Sequence, residues 1–309
     1  MLSPAELGLL YGLARNHCSG AGRIVDAGCF LGGSTKALAA GLGDRSDSVA
    51  DEVVFSYDRF EVEEYTVPNF SSSLPSPKIG SSFRHVFDGN LRGFEERLHV
   101  REGDVCNIGW HGEPIELLFL DILKSWEIND LFLNQFFGCL IPGAVVVQQD
   151  YAYGFCPWIH ITMELLSDYF TWISYVPHAS YVYVLEREIP ESLLRLQLRS
   201  DLSRNEKRTL MERAVARADG EVKAMLQLAQ TMLLLEIGPR RQAIALHEQV
   251  KREFPDSEPV QACAQASEPW VARARAVRSH ALADALIDAC SGKWRSRALR
   301  FRGRPWRFQ

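Results

Sequence analysis

The 309-residue chain reads as an α/β protein on a doubly wound, mostly parallel sheet, and three observations carry that expectation. Short apolar runs recur along the first 190 residues and end on polar residues, helix-like stretches separate them, and the last two runs stand close enough to pair as a hairpin. Strands that alternate with helices form parallel sheets covered on both faces, with ligand sites at the carboxyl edge.

Each element has a local reason. Ser3-Pro4-Ala5-Glu6 is a capping box with proline at the first helical position, which predicts a helix over residues 4 to 16. Arg23-Ile-Val-Asp-Ala-Gly28 is a first strand, and Gly32-Gly33-Ser34-Thr35 is a tight turn opening a helix at Lys36. Residues 53 to 58 form a second strand ending in Asp58, and residues 98 to 104 a third ending in Gly103-Asp104. Residues 115 to 121 and 143 to 150 supply the fourth and fifth strands, ending in Asp121 and Asp150. A helix is expected between them over 126 to 140, closed by the breaker Ile141-Pro142-Gly143. Runs at 171 to 176 and 180 to 185 flank Pro177-His178-Ala179 and predict the hairpin, giving a Rossmann-like sheet of seven strands with a terminal antiparallel hairpin.

Hydrophobic residues make up 47% of the chain and charged residues 24%, the balance of a folded globular protein. No apolar run approaches the length of a membrane span, and the amino terminus lacks the basic start of a signal peptide, so a cytoplasmic protein without membrane partners is expected. The seven cysteines show no spacing that suggests a zinc site. Charge divides the chain: residues 1–190 hold 12 basic and 25 acidic side chains, whereas residues 191–309 hold 22 basic and 14 acidic. Two modules with these bounds are expected, able to attract each other within a chain or across a homo-oligomer, and the acidity of the first argues against nucleic acid as its substrate.

The first module's strand ends resemble the cofactor half of class I S-adenosylmethionine-dependent methyltransferases over about residues 20 to 190. Asp26-Ala-Gly-Cys-Phe-Leu-Gly-Gly33 resembles the family's first motif, with Gly28 and Gly32 letting the chain pass close to the cofactor. Phe30, where many members carry glycine, and the following Gly32-Gly33-Ser34-Thr35 are similar to the macrocin-type sugar O-methyltransferase subgroup. The resemblance implies that Asp58, with Arg59 beside it, meets the ribose hydroxyls, and that Asp104 and Val105 read the adenine. It places Asp26, Gly28, Phe30, Gly32, Gly33, Ser34, Thr35 and Asp121 among the cofactor-binding residues. The competing local reading of each acid is a cap on the element that follows it. A nicotinamide-binding fold is the nearest rival, but it prefers G-x-G-x-x-G where this chain has Gly28-x-x-x-Gly32-Gly33.

Asp121 and Asp150 end strands expected to be neighbours, about 5 Å apart, so their carboxylates can meet at one ligand. In the macrocin-type subgroup the matching stretches resemble Asp-Gly-x-His-x-Tyr and Asp-Asp-Tyr, whose acids hold magnesium and whose histidine is a base. Here Lys124 stands for the histidine and Gln149 for one acid, so a magnesium site would consist of Asp121, Gln149 and Asp150 with one carboxylate fewer. Lys124 has two open roles, a base with lowered pKa or a charged group that binds an anionic acceptor, and Asp121 joins it as a catalytic candidate. His160, in the aromatic stretch after Asp150, is a second base candidate if that stretch walls an acceptor pocket; packing of a helix on the sheet is the alternative. The turn-rich segment 62 to 92 reads as a lid.

Beyond residue 190 the chain reads as helices, with a capping box at Ser203-Arg-Asn-Glu206 and a helical apolar stripe through Met225, Leu228, Ala229, Met232 and Leu235. That stripe fits a core or a dimer interface. The final 17 residues carry seven basic and four aromatic side chains, Trp294, Phe301, Trp306 and Phe308 among them, and suit an anionic partner or the acidic first module. The expected function is methyl transfer from S-adenosylmethionine to an oxygen of a small-molecule acceptor, such as a sugar or natural-product intermediate. A protein that keeps the fold only to bind or scaffold is the competing class.

Overall fold

The computed structural model describes residues 1–45, 53–64, 66–70, 76–177 and 179–276. The basic aromatic tail, residue 178 of the hairpin turn and residues 65 and 71–75 of the expected lid lie outside the described residues.

Helix α1 (Pro4–Asn16) begins with the expected capping box, in which Ser3 and Glu6 satisfy each other's backbone N–H. It leads through strand β1 (Arg23–Ala27) to helix α2 (Gly33–Gly43) and strand β2 (Val54–Asp58). Short helices α3 (Val67–Phe70) and α4 (Arg84–Asn90) precede β3 (Leu98–Glu102), and α5 (Val105–Ile108) precedes β4 (Ile115–Leu120). Helix α6 (Trp126–Leu131) continues as a π turn over Phe132–Phe136 and a 3₁₀ turn over Phe137–Cys139 into β5 (Leu140–Gln148). Helix α7 (Pro157–Leu165), β6 (Phe170–Tyr175) and β7 (Tyr181–Leu185) complete the sheet.

The strands lie in the order β3-β2-β1-β4-β5-β7-β6. β1 to β5 pair in parallel, and β7 runs antiparallel to both β5 and β6. The fifth strand starts earlier than its sequence suggests. Leu140 already pairs with Ile115, and the register then jumps to Leu117 opposite Val145, so Pro142 and Gly143 are absorbed in an irregularity and do not stop the strand.

Period-two alternation in a sheet covered on both faces explains the two cores. Leu117 and Phe119 of β4 join Val145 and Val147 of β5 beneath α1 and α2, while Leu118, Leu120 and Val146 face the opposite cluster. That opposite cluster runs without a break into the helices beyond residue 190, α8 (Glu191–Leu194), α9 (Leu198–Asp201), α10 (Arg204–Arg217), α11 (Gly220–Ile237), α12 (Arg240–Glu253) and α13 (Glu258–Ala276). Leu228, Ala229, Met232 and Leu235, the stripe open to either role, are buried inside this shared core. At Gly154 the approach is so close that a Cβ would stand 2.6 Å from Cys263 Sγ and 2.9 Å from Leu228 Cβ. No helix among the described residues is long and apolar enough to cross a membrane.

Candidate functional site

A cavity of about 440 Å³ opens at the carboxyl ends of β1, β2 and β4, a volume within the range of small-molecule sites. Its wall begins at the turn after β1. Gly28 has φ of +95° and Phe30 of +47°, so the chain turns back through left-handed backbone. A Cβ on Gly28 would stand 2.5 Å from the carbonyl oxygen of Asp121, so the residue that needs space there is the end of β4. Gly32 is likewise left-handed, with φ of +90°, whereas a Cβ on Gly33 would meet nothing nearer than 3.9 Å. Gly32 therefore answers to backbone geometry and Gly33 does not.

Asp58 is held by the same turn. Its Oδ2 accepts the Phe30 N–H at 2.9 Å and its Oδ1 accepts the Phe60 N–H at 2.8 Å, which fixes the carboxylate plane at the cavity wall. Burial pushes its pKa up to about 6 against the pull of those two N–H groups. Arg59 turns outward, paired to Glu61 at 2.7 Å and Glu63 at 3.0 Å, and lines the cavity rim with them. Asp104 caps α5 by accepting the Cys106 N–H at 2.9 Å, and both it and Val105 line the cavity. The capping reading and the wall reading of Asp104 thus hold together.

Asp26 lies elsewhere. It is fully buried behind the turn, where its Oδ2 accepts the hydroxyls of Ser34, at 2.9 Å, and Thr35. Burial raises its pKa to about 7. Asp26 and Thr35 are absent from the cavity wall, whereas Ser34 reaches it. The Asp26 and Thr35 pairing ties the end of β1 to the start of α2, one layer behind the wall.

The floor is formed by Asp121 and Lys124, beyond the end of β4. Lys124 Nζ lies 2.9 Å from Asp121 Oδ1 and also pairs with Asp150 Oδ2. The loop is held from both sides: Lys124 N–H donates to Ile122 O at 2.7 Å, and Trp158 Nε1 donates to Leu123 O at 2.7 Å. Asp150 is 2% exposed and stands behind the lysine, and neither it nor Gln149 lines the cavity. Magnesium asks for near-octahedral oxygen ligands about 2.0–2.1 Å away. With an ammonium already set between the two carboxylates, the trio Asp121, Gln149 and Asp150 does not fit such an ion.

His160 is fully buried in α7, its Nε2 2.6 Å from the Tyr151 carbonyl oxygen, and burial lowers its pKa to about 4. It stands outside the cavity wall. The aromatic stretch around it packs against the C-terminal helices and the sheet: Phe155 meets Trp270 of α13 at 5.9 Å, and Tyr151 stacks on Tyr181 of β7 at 4.2 Å. Of the two uses open to this stretch, acceptor wall or packing of a helix on the sheet, the rings serve packing, because both faces of the sheet are covered.

Two further elements complete the wall, the segment read as a lid and the start of the chain. The described part of segment 62 to 92 is a packed cap in which Phe70, Phe83, Phe87 and Leu91 form an apolar cluster with Phe60 against Phe30. Leu2 and Leu7, at the start of α1, close the opposite side. Phenylalanine spacing in 60 to 87 hinted at the cap, but nothing local tells that α1 folds back over a strand end nearly at the same edge.

The strand order, with β7 the antiparallel member, is the fold of class I methyltransferases, and the cavity occupies the carboxyl edge at which α/β proteins place their ligands. Neither a protein-family model nor a curated protein matches the sequence. Among solved structures, the chain is similar to the O-methyltransferase NovP, with 13% identity over 59% of this chain and 80% of that one and a TM-score of 0.42. It is also similar to CalS11, a calicheamicin methyltransferase, with 17% identity over 58% of this chain and 77% of that one and a TM-score of 0.42.

Proposed function

We propose that the chain binds S-adenosylmethionine in this cavity and transfers its methyl group to an oxygen of a small-molecule acceptor. The supporting observation is that Asp58, Asp104 and Asp121, each at the end of a different strand, line one 440 Å³ cavity with the left-handed turn at Phe30. When bound, the cofactor supplies an electrophilic methyl on a sulfonium. The residues fit it: Asp58, with each oxygen oriented by a backbone N–H, keeps lone pairs for ribose hydroxyls, and Asp104 and Val105 offer a polar edge and an apolar face to adenine.

Lys124 and Asp121 hold the acceptor. An ammonium paired with two carboxylates serves to orient an oxygen and not to abstract its proton, which favours acceptors that arrive with an anionic or acidic oxygen. His160 has no part in this reading.

Titration calorimetry of the full chain with S-adenosylmethionine tests it. Binding is expected in the wild type, and Asp58→Ala is expected to weaken it by about 10- to 100-fold, the worth of hydrogen bonds to a charged group. Absence of binding to the folded wild type would sink the proposal.

A further inference from the structure

We propose that Lys124 is a built-in cation, standing in the gap where a divalent ion would bridge Asp121 and Asp150, so that this site operates without metal and loss of the lysine side chain opens a metal site. Three observations carry this. The carboxylates belong to neighbouring strand ends, since β4 and β5 pair in parallel and Leu120 stands beside Gln148. Lys124 Nζ contacts both, at 2.9 Å from Asp121 and in an ion pair with Asp150. The three side chains are only 16%, 16% and 2% exposed for Lys124, Asp121 and Asp150, so water does little to screen the pairing.

The turn makes the placement durable. Two residues separate Asp121 from Lys124, the loop is bonded at Ile122 and Leu123, and the side chain is thereby directed back over the strand ends. A divalent ion entering the same gap would face a positive charge within ion-pair distance, in a site where such repulsion is weakly screened. With the ammonium gone, Asp121 and Asp150 lose the cation that lies between them, and Gln149, directly before Asp150 in sequence, carries a neutral amide oxygen. The metal-free character of methyl transfer rests on the function proposed above, whereas the occupancy of the gap does not.

Manganese, read by electron paramagnetic resonance and by thermal melting of the full chain, is the probe. The counted signal is the one that Asp150→Asn removes, which sets aside the separate cluster of His247, Glu248 and Glu268 whose ligand atoms lie within 4.8 Å of one another. Wild type is expected to show no such signal. Lys124→Ala and Lys124→Ser are expected to gain one bound ion, at least tenfold tighter than any binding in wild type, and to melt higher with manganese than without it. A variant that folds only when manganese is added counts as the same gain. The proposal is overturned if wild type already binds manganese in an Asp150-dependent way, or if both lysine variants gain none. Cofactor calorimetry on the wild type separates the readings: absence of cofactor binding there, with the manganese gain of the lysine variants intact, defeats the methyltransferase reading alone.

Discussion

At the scale of single residues, the turn after β1 shows how one glycine differs from its neighbours. Gly28 has positive φ and a Cβ there would press on the carbonyl of Asp121, so substitution strains the backbone and displaces the strand end that carries the cavity floor. Gly28→Ala is expected to cost about 2–3 kcal/mol in denaturant unfolding. Gly33→Ala, with open space around its Cβ and helical backbone, should leave stability unchanged or slightly raised. Equal losses at both positions would show that this steric reading of the turn is wrong. Phe30 is legible only in part: an aromatic in a glycine position is visible in the sequence, but its left-handed backbone and its packing on Phe70 and Phe83 are not.

Among the elements, the loop after β4 depends on a partner remote in sequence. Trp158, in α7, donates to Leu123 O and so braces the Lys124 turn from beneath. Trp158→Phe keeps most of the ring volume and leaves a carbonyl without that donor. Stability is expected to fall by about 1–3 kcal/mol, with cofactor affinity within twofold of wild type, because Asp58 and Asp104 belong to other loops. A large loss of cofactor affinity with unchanged melting would contradict the bracing role. The aromatic run that includes Trp158 left a ligand wall and helix packing both open in the sequence, because rings clustered after a strand end suit both uses. Packing decided between them, since α10 and α11 cover α7 and bury Trp158, Ile159 and His160.

For the molecule as a whole, buried ionisable groups set the pH response. Asp26 keeps its proton up to about pH 7 in the folded chain and loses it near 3.8 when unfolded. Its contribution is therefore fully present at low pH and is lost as pH rises through about 7. His160 acts oppositely: with its pKa lowered from 6.5 to about 4, the folded state loses stability as pH falls through that interval. Asp26→Asn imitates the protonated acid, so its melting temperature relative to wild type is expected to be higher at pH 8 than at pH 5, by about 1.4 kcal/mol in stability for each pKa unit relieved. The same difference at both pH values would mean that Asp26 is ionised alike in the folded and unfolded chains.

The sequence by itself determined the alternation of strands and helices, the capping box at Ser3, the polar strand ends Asp58, Asp104 and Asp121, and the substitution of Lys124 for a histidine. These are local facts, written in periodicity and in residues that start or stop an element. Only the tertiary structure decided that Asp26 faces inward to Ser34 and Thr35, that His160 belongs to the core, and that β5 runs through Pro142 and Gly143. It also decided that Lys124 fills the gap between Asp121 and Asp150, because each case turns on a neighbour distant in sequence, 8 positions away for Asp26 and Ser34 and 26 for Lys124 and Asp150. A carboxylate's role depends on what stands beside it, and the order of residues alone does not show which charges will share a gap from which water is largely excluded.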